Sequence, residues 1–197
     1  MSWNSKGNFL PLSNTNASSL SMVAWTGDGA IMPATPGLSS GYIYFCRAYV
    51  DLSAASTHIY LAQIASAGTG LSNSYMGVYQ PGAGGALLAK TADLSTSLMT
   101  ATISAPWQFT FASSPSTTIS AMTLNTEIWL AILLGAQGGT VPTFVGRNST
   151  GTNLGMTSDY RMWMTNSAGN TSLPSTVPAT ISASTSGQSI PFIAIGP

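Results

Sequence analysis

Short stretches of alternating polar and apolar residues, each closed by turn-forming residues, are the feature that most constrains this chain. Residues 107–111 (WQFTF) place three aromatic side chains on one face, and residues 99–104 (MTATIS) alternate in the same way. Period-two alternation is typical of a strand with one buried face. The gaps between such stretches are rich in Gly, Pro, Asn and Ser, which predicts many short strands joined by turns.

Two stretches are instead apolar on both faces, residues 42–50 (YIYFCRAYV) and 128–134 (IWLAILL). This pattern predicts central strands, or strands with one face against a partner. Further strands are predicted near residues 58–64, 75–80, 86–90, 143–145, 160–164 and 190–195, with a hairpin turn at 82–85. Gly and Pro interrupt every stretch before a helix could run three turns, so we expect less than about 10% helix. The prediction is an all-β, antiparallel β-sandwich.

The first 37 residues lack this periodicity and contain three prolines. Their large apolar residues are irregularly spaced, and those expected to contact another protein are Trp3, Phe9, Leu10, Leu12 and Trp25. One interpretation is an extended arm that anchors the chain during assembly, and the other is a first strand preceded by a disordered leader. We take the first, which divides the chain into an arm, 1–37, and a sandwich domain, 38–197.

Charged residues make up 5% of the chain, against about 25% in ordinary soluble domains. The formal net charge is zero, so no basic field exists for a phosphate backbone and nucleic-acid binding is not expected. Low charge also removes the repulsion that keeps proteins apart. The surface is therefore either covered by neighbours and copies of the chain, or kept soluble by Ser and Thr hydroxyls. We expect a homo-oligomer, with a trimer favoured by analogy.

The longest apolar run, 128–134, is far shorter than the roughly 20 residues of a membrane helix, so membrane insertion is not expected. Residues 1–6 (MSWNSK) lack the apolar region of a signal peptide, which predicts synthesis and assembly in the cytoplasm. Cys46 is the only cysteine, which excludes an intrachain disulfide.

Ionisable groups are too few and too scattered to suggest an enzyme. His58, the only histidine, stands in a strand-like stretch and is expected to be structural or on the surface. Cys46 lies in an apolar strand, where a thiol is usually inert. The acids are far apart in sequence and favour neither a glycosidase pair nor a metal site: Asp28, Asp51, Asp93, Glu127 and Asp159. We therefore predict no catalytic residue, no cofactor and no metal ligand.

Aromatic side chains at the surface could still stack on a ligand such as a sugar. Tyr160 and Trp163 are the candidates for such a surface contact, and Trp129 is a further aromatic residue of the same kind. Aromatic residues in strands more often belong to the core, so both interpretations stay open.

A series of strand and turn phrases follows in order from residue 41. It comprises 41–50 (GYIYFCRAYV), 66–72 (SAGTGLS), 76–79 (MGVY), 87–93 (LLAKTAD), 124–131 (LNTEIWLA), 140–144 (TVPTF) and 172–174 (SLP). In this order the phrases resemble a family of virion domains found in minor tail, fibre and head-decoration proteins of phages that infect actinobacteria. The resemblance covers about four fifths of the chain. Glu127, where a Gly is common, and Gln80–Pro81, where an Asp is usual, depart from it.

The resemblance implies a jelly-roll-like sandwich and transfers no catalytic residue. It implies a structural protein on the outer surface of a tailed-phage virion, most simply a minor tail component that contributes to host-surface contact. The alternatives are a capsid decoration protein or head fibre, and a carbohydrate-binding module. The expected partners are copies of the chain, other virion proteins of the tail or capsid, and a glycan of the host cell surface.

Overall fold

The computed structural model describes residues 21–26, 34–35, 38–62, 67–99, 107–135, 139–148, 162–183 and 189–197. Within these ranges helix is confined to α1 (Ser95–Leu98). The strands are β1 (Ala24–Trp25), β2 (Ala34–Thr35), β3 (Ile43–Val50), β4 (His58–Leu61), β5 (Tyr75–Tyr79), β6 (Leu87–Lys90), β7 (Trp107–Thr110), β8 (Glu127–Leu133), β9 (Phe144–Asn148), β10 (Met162–Thr165), β11 (Ile181–Ala183), β12 (Ser189–Pro191) and β13 (Ile193–Gly196). The prediction of an all-β, sandwich-like fold is confirmed.

The main sheet is antiparallel and strongly curled. Its strand order is β6-β5-β8-β3-β1-β13-β4-β7, with β10 beside β3 and β11 beside β10. The two edge strands, β6 and β7, approach each other, because Thr91 after β6 forms a bridge with Phe111 after β7. A smaller sheet, β12-β9-β2, adjoins the main one through a hydrogen bond from Val145 N to Ala62 O. The curled sheet thus encloses one hydrophobic core.

Strands β3 and β8 lie at the centre of the sheet, paired from Ile43 and Leu133 to Tyr49 and Glu127. Alternate residues of these strands face inward and form an inner core with the neighbouring strands. Its members include Tyr44, Cys46, Val50, Ile59, Leu61, Met76, Val78, Leu130, Ile132, Ile193 and Ile195. The two stretches that are apolar on both faces are therefore central strands, which is the first of the two predicted alternatives.

The opposite face of these strands is covered by the chain itself. Residues 166–180, here called the strap, join β10 to β11. Two strap residues complete an outer cluster on this face, formed by Ile43, Phe45, Tyr79, Trp129, Ala131, Leu133, Leu173 and Val177. Gly77 of β5 leaves room for the strap, since a Cβ there would lie 2.8 Å from Leu173 Cδ1. The second apolar face therefore needs no partner protein to cover it.

Hydrogen bonds fix the strap to the β5–β6 turn and to the first residue of β6. In the turn, Val177 N donates to Gly85 O (2.8 Å) and Gly84 N donates to Val177 O (2.9 Å), and in β6 Leu87 N donates to Ser175 O (2.8 Å). The hydroxyl of Tyr79 donates to Pro174 O at 2.8 Å. The strap thus occupies backbone groups at the start of this edge strand that would otherwise be open to pairing with a neighbouring chain.

Two short stretches that the sequence places in the arm, residues 24–25 and 34–35, are strands of the two sheets. Strand β1 lies between β3 and β13, with Trp25 opposite Tyr49 on one side and Ala194 on the other. Trp25 also makes an edge contact with Phe192, with ring centroids 6.2 Å apart. Trp25 is thus part of the sheet and not of a free arm. The other four arm residues lie outside the described residues: Trp3, Phe9, Leu10 and Leu12.

Of two further sequence predictions, one is wrong at its first residue and the other is confirmed. The predicted strand at 99–104 is wrong at its first residue, since Met99 ends α1, and residues 100–104 lie outside the described part of the chain. The predicted hairpin turn at 82–85 is confirmed, and Gly82 (φ 84°) and Gly84 (φ 79°) adopt the left-handed conformation that favours glycine. No described helix has the length and apolarity to cross a membrane.

Candidate functional site

The described ionisable groups singled out from the sequence lie on different elements, with Cys46 in β3, His58 in β4 and Glu127 in β8. Cys46 is fully buried in the inner core, and this burial raises the pKa of its thiol. His58 lies in β4, where its Nδ1 is 2.8 Å from the hydroxyl of Thr57. Among the described residues, no group of three or more His, Cys, Asp and Glu side chains could hold a metal ion. Asp28 and Asp159 lie outside these residues.

Asp93 is engaged in a network that ties α1 to the residues before β5. Its Oδ1 accepts hydrogen bonds from Ser74 N (3.0 Å), Ser95 N (2.9 Å) and the Ser95 hydroxyl (2.6 Å). Its Oδ2 accepts one from Asn73 N at 3.2 Å. Burial raises the pKa of Asp93, but the hydrogen bonds outweigh it, so the pKa lies below its ordinary value. The carboxylate is a structural acceptor.

Replacing Asp93 by alanine is expected to lower the free energy of unfolding at pH 7 by about 1 kcal/mol, because solvent screens part of each hydrogen bond. The folded-state pKa is lowered, so this stabilisation is fully present above the ordinary value of about 3.9 and is lost as the pH falls through the folded-state pKa. Urea unfolding of both proteins between pH 7 and pH 2 measures it. A difference that stays constant over this range would contradict the assignment.

A cluster of aromatic and charged side chains lies on the outer face beside the strap. This outer patch consists of Arg47 and Tyr49 of β3, Glu127 and Trp129 of β8, and Trp163 of β10. Cross-strand register brings them together, since Arg47 is opposite Trp129 and Tyr49 is opposite Glu127. On the other side of β3, Trp163 is opposite Phe45.

The two tryptophans of the outer patch stack across β3, with ring centroids 4.3 Å apart and an interplanar angle of 14°. The guanidinium carbon of Arg47 lies 5.2 Å from the ring centroid of Trp163. Such stacking and cation–π contacts are each worth about 0.5–1.5 kcal/mol. These contacts favour one relative arrangement of the two indole rings and the guanidinium.

Glu127 organises the polar side of the outer patch. Its Oε1 accepts a hydrogen bond from Trp129 Nε1 at 2.8 Å and lies 3.3 Å from Arg47 Nε. The hydroxyl of Tyr49 is 3.5 Å from Glu127 Oε2. The patch therefore holds one positive and one negative side chain in contact, with the carboxylate also accepting from a tryptophan of its own strand.

Of the two residues predicted to contact a ligand, the structure describes only Trp163. Trp163 belongs to the outer patch, half-buried between Trp129 and Arg47, whereas Tyr160 lies outside the described residues. The ring that the patch exposes most is Tyr49, at 46%. Sequence reasoning did not select Arg47 or Tyr49, although they alternate on one face of an otherwise apolar strand, which is a detectable signal.

Two sequence comparisons with known proteins found no match. No family model matches the sequence, and no curated protein sequence matches it.

Proposed function

We propose that the chain is a structural, non-enzymatic protein on the outer surface of a tailed-phage virion, a minor tail component that contributes to contact with the host surface. The order of strand and turn phrases supports the family, and the all-β fold is compatible with it. Copies of the chain, with threefold symmetry favoured by analogy, and other virion proteins are the proposed partners.

The outer patch is the observation that carries the contact role. Tyr49 at its rim is exposed and Trp163 is half-buried, whereas Trp129 is buried beneath them as part of the outer cluster. The Arg47–Glu127 pair leaves the patch without a net charge. Aromatic rings combined with hydrogen-bonding groups suit the apolar faces and hydroxyls of sugars. A neutral glycan of the host cell surface is accordingly the proposed ligand, and a carbohydrate-binding module is the second candidate function on the same observation.

Location on the particle is tested by gold-labelled antibodies against the purified chain, applied to particles of the phage that encodes it. We expect label on the tail. Label on the head would favour the alternative of a capsid decoration protein or head fibre. Particles that lack the chain by mass spectrometry would refute the virion role altogether.

Replacing Tyr49 by alanine is expected to weaken binding of the purified chain to host cells about tenfold, because one well-placed aromatic contact is worth more than about 1 kcal/mol. The matched control is Leu124→Ala, since Leu124 is equally exposed, at 48%, but is not part of the outer patch. The measurement is the cell-bound fraction of fluorescently labelled protein. Equal binding of both variants would count against the patch.

A further inference from the structure

A groove of about 740 Å³ opens at the end of the sheet where β5 ends and β8 begins. Its volume falls within the roughly 300–1,000 Å³ of ordinary ligand sites. The residues on one wall follow β7 in sequence, at 118–122, and the other walls come from β6, the β5–β6 turn and residues 126–128. The groove is separate from the outer patch except at Glu127.

The floor of the groove is continuous with the inner core. Ile119 and Ile128 are 6% and 1% exposed, and Leu88 and Met122 pack against the same core while remaining partly accessible. An apolar side chain placed here would extend the core. Each buried Å² of apolar surface would contribute about 25 cal/mol, which makes the groove suitable for large apolar side chains.

The described chain begins at the same end of the sheet. Strand β1 runs antiparallel to β3, so the residues before Ala24 emerge where β3 ends. Val23 O accepts hydrogen bonds from Asp51 N (2.8 Å) and Leu52 N (3.3 Å). Thr126, which lines the groove, accepts a hydrogen bond from Val50 N at 3.0 Å. Ser21, the first described residue, therefore precedes β1 at the end of the sheet where the groove opens.

The composition of residues 1–20 matches the groove. They contain a single charged residue, Lys6, and the apolar sequence FLPL at positions 9–12. Pro11 disfavours helix and biases its neighbours toward an extended backbone. Twenty extended residues span up to about 66–72 Å, which is enough to reach a groove on a neighbouring molecule.

We propose that the groove binds the N-terminal segment, residues 1–20, of a second copy of this chain. The formal net charge of zero leaves no repulsion between copies, while the strap already covers the outer apolar face. The groove is then the apolar surface through which copies associate. This inference deepens the proposed self-association and names the second copy, not another virion protein, as the destination of the segment.

The oligomeric state of the purified full-length chain tests the proposal. Ala121→Glu places a charge on an exposed residue of the groove lining, and Thr123→Glu makes the same change at an exposed residue outside the lining. Light scattering over a concentration series should show self-association weakened at least about tenfold by the first change and unchanged by the second. Ser120→Glu, at another exposed lining residue, provides the same test if Ala121→Glu does not fold.

A mixing experiment identifies which copy supplies the segment. Full-length chain carrying Phe9→Asp, Leu10→Asp and Leu12→Asp retains the groove, whereas Ala121→Glu retains the segment. Each should be monomeric alone, and the two should form a mixed complex because one supplies the segment and the other the groove. No mixed complex, or a monomeric wild-type chain, would overturn the proposal. These outcomes do not depend on the virion location, which the antibody labelling tests separately.

Discussion

Replacing Leu173 by alanine is expected to lower the free energy of unfolding by about 3 kcal/mol, since buried Leu→Ala changes cost about 2–5 kcal/mol. Leu173 is 4% exposed and lies in the outer cluster, although it belongs to an irregular segment. Its Cδ1 occupies the space left by the missing side chain of Gly77. Truncation leaves a cavity there that the neighbouring β-sheet cannot collapse to fill. Urea unfolding of the purified chain, followed by tryptophan fluorescence, measures the loss.

Leu124→Ala is the matched control for this experiment. Leu124 is 48% exposed in the turn before β8, so its truncation should cost less than about 0.5 kcal/mol. If both variants lost the same stability, the strap would not be an integral part of the fold. A large loss for Leu173 alone would show that the strap is an integral part of the fold.

The sequence does not reveal which segment covers the outer face of β3 and β8. The apolar runs correctly predicted that β3 and β8 are central, because burial on both faces is a local property of a strand. What buries the second face is a long-range contact, and the strap has no periodicity that would reveal it. Leu173 lies among Thr, Ser and Pro, in a stretch without strand or helix periodicity.

Local hydrogen bonding explains why the predicted strand is wrong at Met99. The alternation of 99–104 predicts a strand, but Leu98 N and Met99 N donate to Leu94 O and Ser95 O, which closes the turn of α1. Asp93 accepts from Ser95 at the start of the same turn. A single helical turn fixed by one carboxylate is shorter than any periodicity can detect.

The outer patch was only partly predictable. An aromatic residue at 163 is visible in the sequence, and so is the alternation that places Arg47 and Tyr49 on one face. Their meeting with Glu127 depends on the register between β3 and β8, which are separated by more than 70 residues. Register of this kind follows from the complete sheet and not from either strand alone.

Replacing Thr26 by valine is expected to lower the free energy of unfolding by about 2 kcal/mol. Thr26 is 6% exposed, and its hydroxyl donates to Pro191 O (2.7 Å) while accepting from Ile193 N (3.0 Å). Strand β12 ends at Pro191 and strand β13 begins at Ile193. The Thr26 hydroxyl therefore supplies hydrogen bonds to the backbone at the break between the two strands. Valine keeps the shape but leaves a buried carbonyl and a buried amide unpaired, which costs about 1–3 kcal/mol.

Thr26→Ser distinguishes the contribution of the hydroxyl to stability from that of the methyl group. It retains both hydrogen bonds and should cost less than half as much as valine in the same urea titration. Amide hydrogen exchange gives a second readout, because the Ile193 amide should lose protection in the valine variant and keep it in the serine variant. Equal stability of the wild-type and valine proteins would contradict the assignment. The expected loss would place residues 23–26 within the folded domain, so any arm must end before Val23, because β1 and Thr26 together join the start of the described chain to β13.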